Sequence, residues 1–325
     1  MTNLLAVLFV TTLSVFSVSE STAAEVGLYG FSENVELLRV FTNGTTSVIS
    51  QVGTSGEYGQ AQGLSTIDQT NGIFYSILFQ LSTSKPFLVG VSLTSGKIVS
   101  SVPVPFVESG FIGVGQWLTF AGPDRVIVGG QDATQSHIMG TISPTKGGFQ
   151  QFAKLNATLL DVLGGCHAAY SPATDSVYIQ LGTQTPAAIN VYEVNVRTGV
   201  VRQTNETDTA NIDTLSFDPV TKMIYGLGIQ VVGGNLQRTI VSMDPTTLRI
   251  TTVGKVNVET IESGGIAALD SKGKVLYWIG DKTGNDDFFL VGNSITTGAK
   301  VASTGDLCTN DAACPWMLEF YSGIA

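Results

Sequence analysis

Histidine is all but missing from this chain: His137 and His167 are the two among 325 residues. With no His-x-x-x-His pair, the sequence cannot assemble the usual catalytic zinc set unaided. There is no Gly-x-Ser-x-Gly elbow, and no glycine-rich phosphate loop that follows a strand and opens a helix. Charge is scarce too, at 13 % of residues, and the 16 Lys and Arg nowhere cluster, while the formal net charge is −10. Nucleic-acid binding needs concentrated cations against phosphate, so that partner class is excluded. A hydrophobic share of 43 % argues against disorder, and so little charge argues against long exposed helices.

Cysteine is limited to three residues. Cys308 and Cys314 lie close together in the polar stretch CTNDAAC and are expected to form a disulfide. That leaves Cys166, in GGCHAA, as a small buried residue rather than a reactive thiol. Long apolar runs are confined to the start of the chain, where Leu4 to Val18 is followed by the small residues Ser19 to Ala24. This pattern reads as a secretory signal over 1–24, cleaved near Ala23 or Ala24, although its leading residues lack Lys and Arg. An uncleaved anchor is the alternative, but the run is short for a bilayer, which needs roughly 20 apolar residues. No later stretch approaches that length, so the mature chain is expected to be secreted, extracellular and without a membrane span. Three sequons agree with export: Asn43-Gly-Thr, Asn156-Ala-Thr and Asn205-Glu-Thr.

What the chain has in abundance is glycine, 37 copies, and a repeating phrase. An apolar couple ends in an aromatic or aliphatic residue and then opens into glycine or a small polar residue. It returns six times, at Tyr29, Tyr75, Ile127, Tyr178, Tyr225 and Tyr277, spaced 46 to 52 residues apart. A fixed period of that size marks a propeller or solenoid array. The unit from Ala168 shows its grammar. A short apolar strand meets the turn Ser171 to Asp175, Ser176 to Leu181 alternates, and Ile189 to Val196 alternates again. Arg197-Thr-Gly then turns into a fourth strand. Four strands per unit make a propeller blade.

The turns keep step with the period. The first recurs as Asp68-Gln-Thr-Asn-Gly, Asp218-Pro-Val-Thr-Lys and Asp270-Ser-Lys-Gly-Lys, the later one as Thr42-Asn-Gly, Thr94-Ser-Gly and Thr296-Thr-Gly. The first unit lacks an inner strand, since that strand would fall inside the signal. The tail Trp316 to Ser322 has strand composition and no unit of its own. The two deficits cancel if the tail joins the first unit and closes the ring, which leaves no exposed edge. The expected fold is therefore all-β, a six-bladed propeller over 25–325 closed by a C-terminal strand that completes the first blade.

The phrases AYSPATDSVYIQL and SFDPVTKMIYGLG resemble the YVTN and quinoprotein-like β-propeller superfamily. VLYWIGD, from Val275 to Asp281, is similar to the YWTD repeat of six-bladed receptor propellers, with Ile-Gly in place of its Thr. The resemblance implies a fold and transfers no activity.

A second periodic series is acidic. Glu57, Glu108, Asp161, Asp213, Glu262 and Asp311 precede the expected inner strands at spacings of 49 to 53 residues. In register they would ring one mouth of the axial channel and attract Ca²⁺ or a basic partner. The plain reading is a set of solvated loop carboxylates copied with the repeat. His167, at the mouth of an inner strand, is the better placed histidine for carrying a proton, against a plain reading as a satisfied or channel-facing side chain.

The leading expectation is a secreted, monomeric, non-catalytic binding propeller for a protein, glycan or matrix ligand, with Tyr58, Phe111 and Trp117 as a candidate aromatic patch. The alternative is a Ca²⁺-dependent hydrolase, lactonase or quinone-dependent dehydrogenase working in the channel, with Asp213, Glu262, Asp161 and Glu108 as ligands and His167 carrying the proton.

Overall fold

The computed structural model describes residues 24–32, 34–104, 117–132, 136–155, 159–160, 168–184, 187–203, 211–212, 214–232, 235–255, 267–282, 285–304, 307, 315 and 317–323. Six antiparallel sheets and no helix occur among the described residues. The chain first lays down β1 (Gly27–Phe31), β2 (Glu36–Val40) and β3 (Thr46–Gln51). The second sheet is β4 (Tyr58–Asp68), β5 (Ile73–Gln80), β6 (Lys85–Ser92) and β7 (Ile98–Pro103). The third is β8 (Trp117–Phe120), β9 (Val126–Gln131), β10 (His137–Ser143) and β11 (Gly147–Leu155).

In the fourth sheet the inner strand is split into β12 (Leu159–Leu160) and β13 (Ala169–Ser171), both paired with β14 (Ser176–Gln184), and then come β15 (Ala187–Asn195) and β16 (Val201–Gln203). The fifth repeats that split with β17 (Asn211–Ile212) and β18 (Ser216–Phe217) beside β19 (Ile224–Val232), β20 (Asn235–Met243) and β21 (Ile250–Lys255). The sixth is β22 (Ala267–Asp270), β23 (Val275–Lys282), β24 (Asn285–Ser294) and β25 (Lys300–Ser303). Last comes β26 (Glu319–Tyr321), which pairs with β1 and gives the first sheet its inner strand.

The inner strands neighbour one another in the order β26, β4, β8, β13, β18, β22 and back to β26. This is the six-bladed propeller expected from the period, with the ring shut by the C-terminal strand.

Strand alternation explains how the ring holds together. Each blade sends one set of side chains to the blade before it and the other set to the blade after it, so the core divides into six clusters, one per junction. Every cluster contains one marker of the repeated phrase. Tyr29 packs between blades one and two and Tyr75 between two and three, while Ile127, Tyr178, Tyr225 and Tyr277 follow in turn. The markers are therefore packing residues, and burial holds the Tyr75 phenol at a pKa of about 12.

The turns work as their residues imply. Asp68 accepts hydrogen bonds from the backbone of Thr70 and Asn71, Asp218 from Val220 and Thr221, and Asp270 from Gly273. The residue that closes each such turn is left-handed: Gly72, Asp124, Asp175, Lys222 and Lys274 have φ of 61, 57, 47, 63 and 56°.

Closure at the first blade depends on a close backbone approach. A Cβ on Gly30 would lie 2.1 Å from the carbonyl oxygen of Met317. Only glycine lets the C-terminal segment lie this close. Gln69, in the turn after β4, then ties the tail to blade two. Its amide donates to the Phe320 carbonyl at 2.6 Å, and its oxygen accepts from the Ser322 backbone at 2.8 Å.

Candidate functional site

The six markers define a register on the inner strands. Opposite Tyr75, Ile127, Tyr178, Tyr225 and Tyr277 stand Thr66, Thr119, Ala169, Ser216 and Ala268. All five are small. Opposite Tyr29 stands Glu319. One sixth of the ring thus carries a carboxyl where the other five carry a methyl or a hydroxyl, and it arrives on the strand that closes the ring.

Residues of all six inner strands, among them Ser65, Thr119, Ala169, Ser216, Leu269 and Glu319, line one cavity of about 490 Å³ on the propeller axis. It reaches toward the turns after the inner strands, represented by Gln69, Gly122, Pro172, Pro219 and Ser322. Phe120, Tyr170, Phe217 and Phe320 supply aromatic wall. Two of these rings are fixed from behind by markers: Phe120 stacks on Tyr75 at 6.2 Å and Phe320 on Tyr277 at 6.4 Å, each 7° from parallel. The cavity falls within the range typical of small-molecule sites and shares their mostly apolar lining with a few polar groups.

Glu319 is the one acidic or basic residue in that lining among the described residues. Its Oε1 accepts a hydrogen bond from the Ser65 hydroxyl at 3.1 Å, and its Oε2 has no hydrogen-bond partner among the described residues. The carboxyl keeps partial contact with the channel but is surrounded by protein. Burial pushes its pKa up to about 8, against a smaller downward pull from the Ser65 bond. At neutral pH the group is therefore chiefly a neutral acid, able both to donate and to accept.

A second polar set stands at the rim. The Tyr170 hydroxyl donates to Asp175 at 2.9 Å and accepts from Arg125, whose guanidinium lies over the Tyr170 ring at 5.2 Å and pairs with Asp175 at 3.3 Å. Burial and the Asp175 bond raise the phenol above its ordinary range. Since Arg125 is paired, this set gives the rim shape and polarity without a free charge.

The residues singled out from sequence fall unevenly. Of the acidic series, Glu57 is described, and its carboxylate accepts from the backbone and hydroxyl of Thr54, in the turn that leads into β4. Glu108, Asp161, Asp213, Glu262 and Asp311 lie outside the described residues, as do His167, Cys166, Cys308 and Cys314. Among the described residues no three His, Cys, Asp or Glu side chains come together as a metal site. Asn43 is exposed in the turn between β2 and β3, whereas Asn156 and Asn205 are outside the described residues.

The aromatic patch needs correction. Trp117 is 2 % exposed, packed against Gly129, where a Cβ would come within 2.4 Å of its ring. It also lies beside the fully buried His137, so neither residue faces a ligand. Tyr58 packs on the core between blades one and two, and Phe111 is outside the described residues.

Glu319 was not singled out from sequence. The signal that could have found it was the tail itself: once MLEFYS is aligned as an inner strand, its Glu falls where every other unit has a small residue.

No family model matches the sequence, and no curated protein matches it. The likeness is to solved propeller structures. A chain of the nidogen/laminin complex superposes with a TM-score of 0.59 at 12 % identity, covering 92 % of this chain and 98 % of that one. The TolB-like protein of Agrobacterium tumefaciens gives 0.54 at 10 % identity, covering 88 % and 91 %. A GH74 xyloglucanase from Xanthomonas campestris gives 0.52 at 11 % identity, covering 86 % of this chain and 44 % of that one. At these identities the similarity establishes the fold alone, and the matched proteins run from members of complexes to an enzyme.

Proposed function

We propose that this protein is an exported, non-catalytic binding propeller that takes its ligand in the axial channel, on the side of the turns after the inner strands. The observation that carries the reading is the cavity of about 490 Å³, walled by residues of all six inner strands. Rigid aromatic surfaces and a few polar groups converge there, which is how a preformed ligand site is built. Export rests on the apolar run Leu4 to Val18 and on the sequon at the exposed Asn43 turn. A Cys308–Cys314 disulfide and an extracellular partner belong to the same reading.

The test is a thermal-shift screen of small molecules and oligosaccharides against the purified chain and Ser216→Trp, which puts an indole into the channel. Hits should stabilise the native chain and lose at least tenfold in affinity in the variant, and mass spectrometry should recover them unchanged. Hits indifferent to the indole would move the site off the axis, and a ligand returned chemically altered would make the channel an active site.

A further inference from the structure

We propose that the channel selects small organic cations, primary or quaternary ammonium compounds, by pairing them with Glu319 against the aromatic wall. This rests on the binding reading above and adds the ligand's chemical class. Three observations converge on it. The cavity lining holds one carboxyl and no Lys, Arg or His among the described residues, so none of these supplies the charge that would balance an ionised Glu319. The carboxyl's Oε2 has no partner among the described residues, so one oxygen remains for a ligand. The wall beside it is built from aromatic rings, with Phe120 and Phe320 held rigid by their stacks on Tyr75 and Tyr277. A ring face and a desolvated carboxylate are the two groups that attract an ammonium with apolar substituents. A calcium ion, by contrast, takes six to eight oxygen ligands and gains nothing from aromatic walls.

The surroundings of β26 leave this pairing open. Tyr29 on β1 and Tyr277 on β23 are raised above the ordinary phenol range by burial, and the Tyr29 hydroxyl donates to the Glu25 carbonyl. Asp68 on β4 and Asp270 on β22 are hydrogen-bonded within their own turns. Tyr58 stands at the other end of β4, and Tyr321 ends β26. Arg39, the cation acting on Tyr29, is paired with Glu25. None of these groups offers Glu319 a positive charge. A cation entering the channel therefore draws the carboxyl into its ionised form, and the proton leaves to the buffer.

The experiment is isothermal titration calorimetry of the purified chain at pH 7, in phosphate and in MOPS. The probes are choline, its uncharged isostere 3,3-dimethylbutan-1-ol, and benzyltrimethylammonium. The expected result is binding of both cations with release of close to one proton per ligand, at least tenfold weaker binding of the alcohol, and at least tenfold loss of cation affinity in Glu319→Gln. That variant must unfold at or above the native temperature, which separates lost binding from lost fold.

Equal affinity for the alcohol, undiminished cation binding in the variant, or no proton release would each overturn the inference. So would the failure of both cations to bind at millimolar concentration. If neutral ligands bind and Ser216→Trp abolishes them, the cation class fails while the channel reading stands. If nothing binds in a channel-dependent way, both fail.

Discussion

Glu319→Gln should make the protein more stable at alkaline pH and abolish part of its pH dependence. The folded carboxyl titrates near 8, against an ordinary value of 4.5 for the unfolded chain. Below about 4.5 both states hold the proton and the group has no effect on the balance. Between about 4.5 and 8 the unfolded chain gives the proton up while the folded protein keeps it, so stability falls as pH rises, and the loss is complete above about 8. The interval of roughly 3.5 pH units, at about 1.4 kcal/mol per unit, sets an upper limit near 5 kcal/mol. Water reaching the carboxyl through the channel lowers that to roughly 2–3 kcal/mol.

Glutamine keeps an oxygen for the Ser65 bond and carries no charge, so urea unfolding of the two proteins should coincide at pH 4.5. The curves should then diverge steadily, until the variant leads by roughly 2–3 kcal/mol at pH 9. Other carboxylates titrate equally in both proteins, so the difference isolates this one. Parallel curves from pH 4.5 to 9 would show that Glu319 titrates normally and would refute the buried-acid reasoning.

Three further outcomes can be checked by the same unfolding measurements. Gly30→Ala should cost about 3 kcal/mol or more, because its Cβ meets the Met317 carbonyl, a backbone atom that cannot swing aside. Gln69→Ala should cost roughly 1–3 kcal/mol and expose the tail to carboxypeptidase, since it removes the bonds to Phe320 and Ser322; an unchanged digestion rate would mean that β26 is held by the sheet alone. Lys274→Gly should gain up to about 1 kcal/mol by relieving a φ of 56° at an exposed turn position.

The fold was legible because the same physical demand recurs in each unit. Every blade junction needs one bulky residue at the second strand, and three of the inner turns open on an Asp that accepts from its own backbone, so Tyr225 and Asp218 imply the same unit as Tyr277 and Asp270. Ring closure was legible by subtraction, from a first unit short of a strand and a tail without a unit. The site was harder to see. The acidic series keeps the period, but five of its six members lie outside the described residues, and the sixth, Glu57, bonds Thr54 ahead of β4. Glu319 breaks the period instead of keeping it, and a lone Glu in a short tail carries no local signal. Its meaning comes from the five small residues at equivalent positions, which only the strand register brings together. Trp117 was misplaced for a related reason: an aromatic next to a loop looks exposed until its neighbour Gly129 is known to leave it a berth.

The position of Glu319 on β26 also has a consequence for biogenesis. The carboxyl lies on the last strand of the ring in chain order, and its sheet partner, Tyr29, lies on the first. Until β26 has been made, the first blade lacks its inner strand and the channel lacks one wall. A chain cut short before β26 can form blades, but it holds neither a closed ring nor Glu319. Closure of the ring and delivery of that carboxyl are thereby the same event, and a chain cut short before β26 would carry no half-formed cavity.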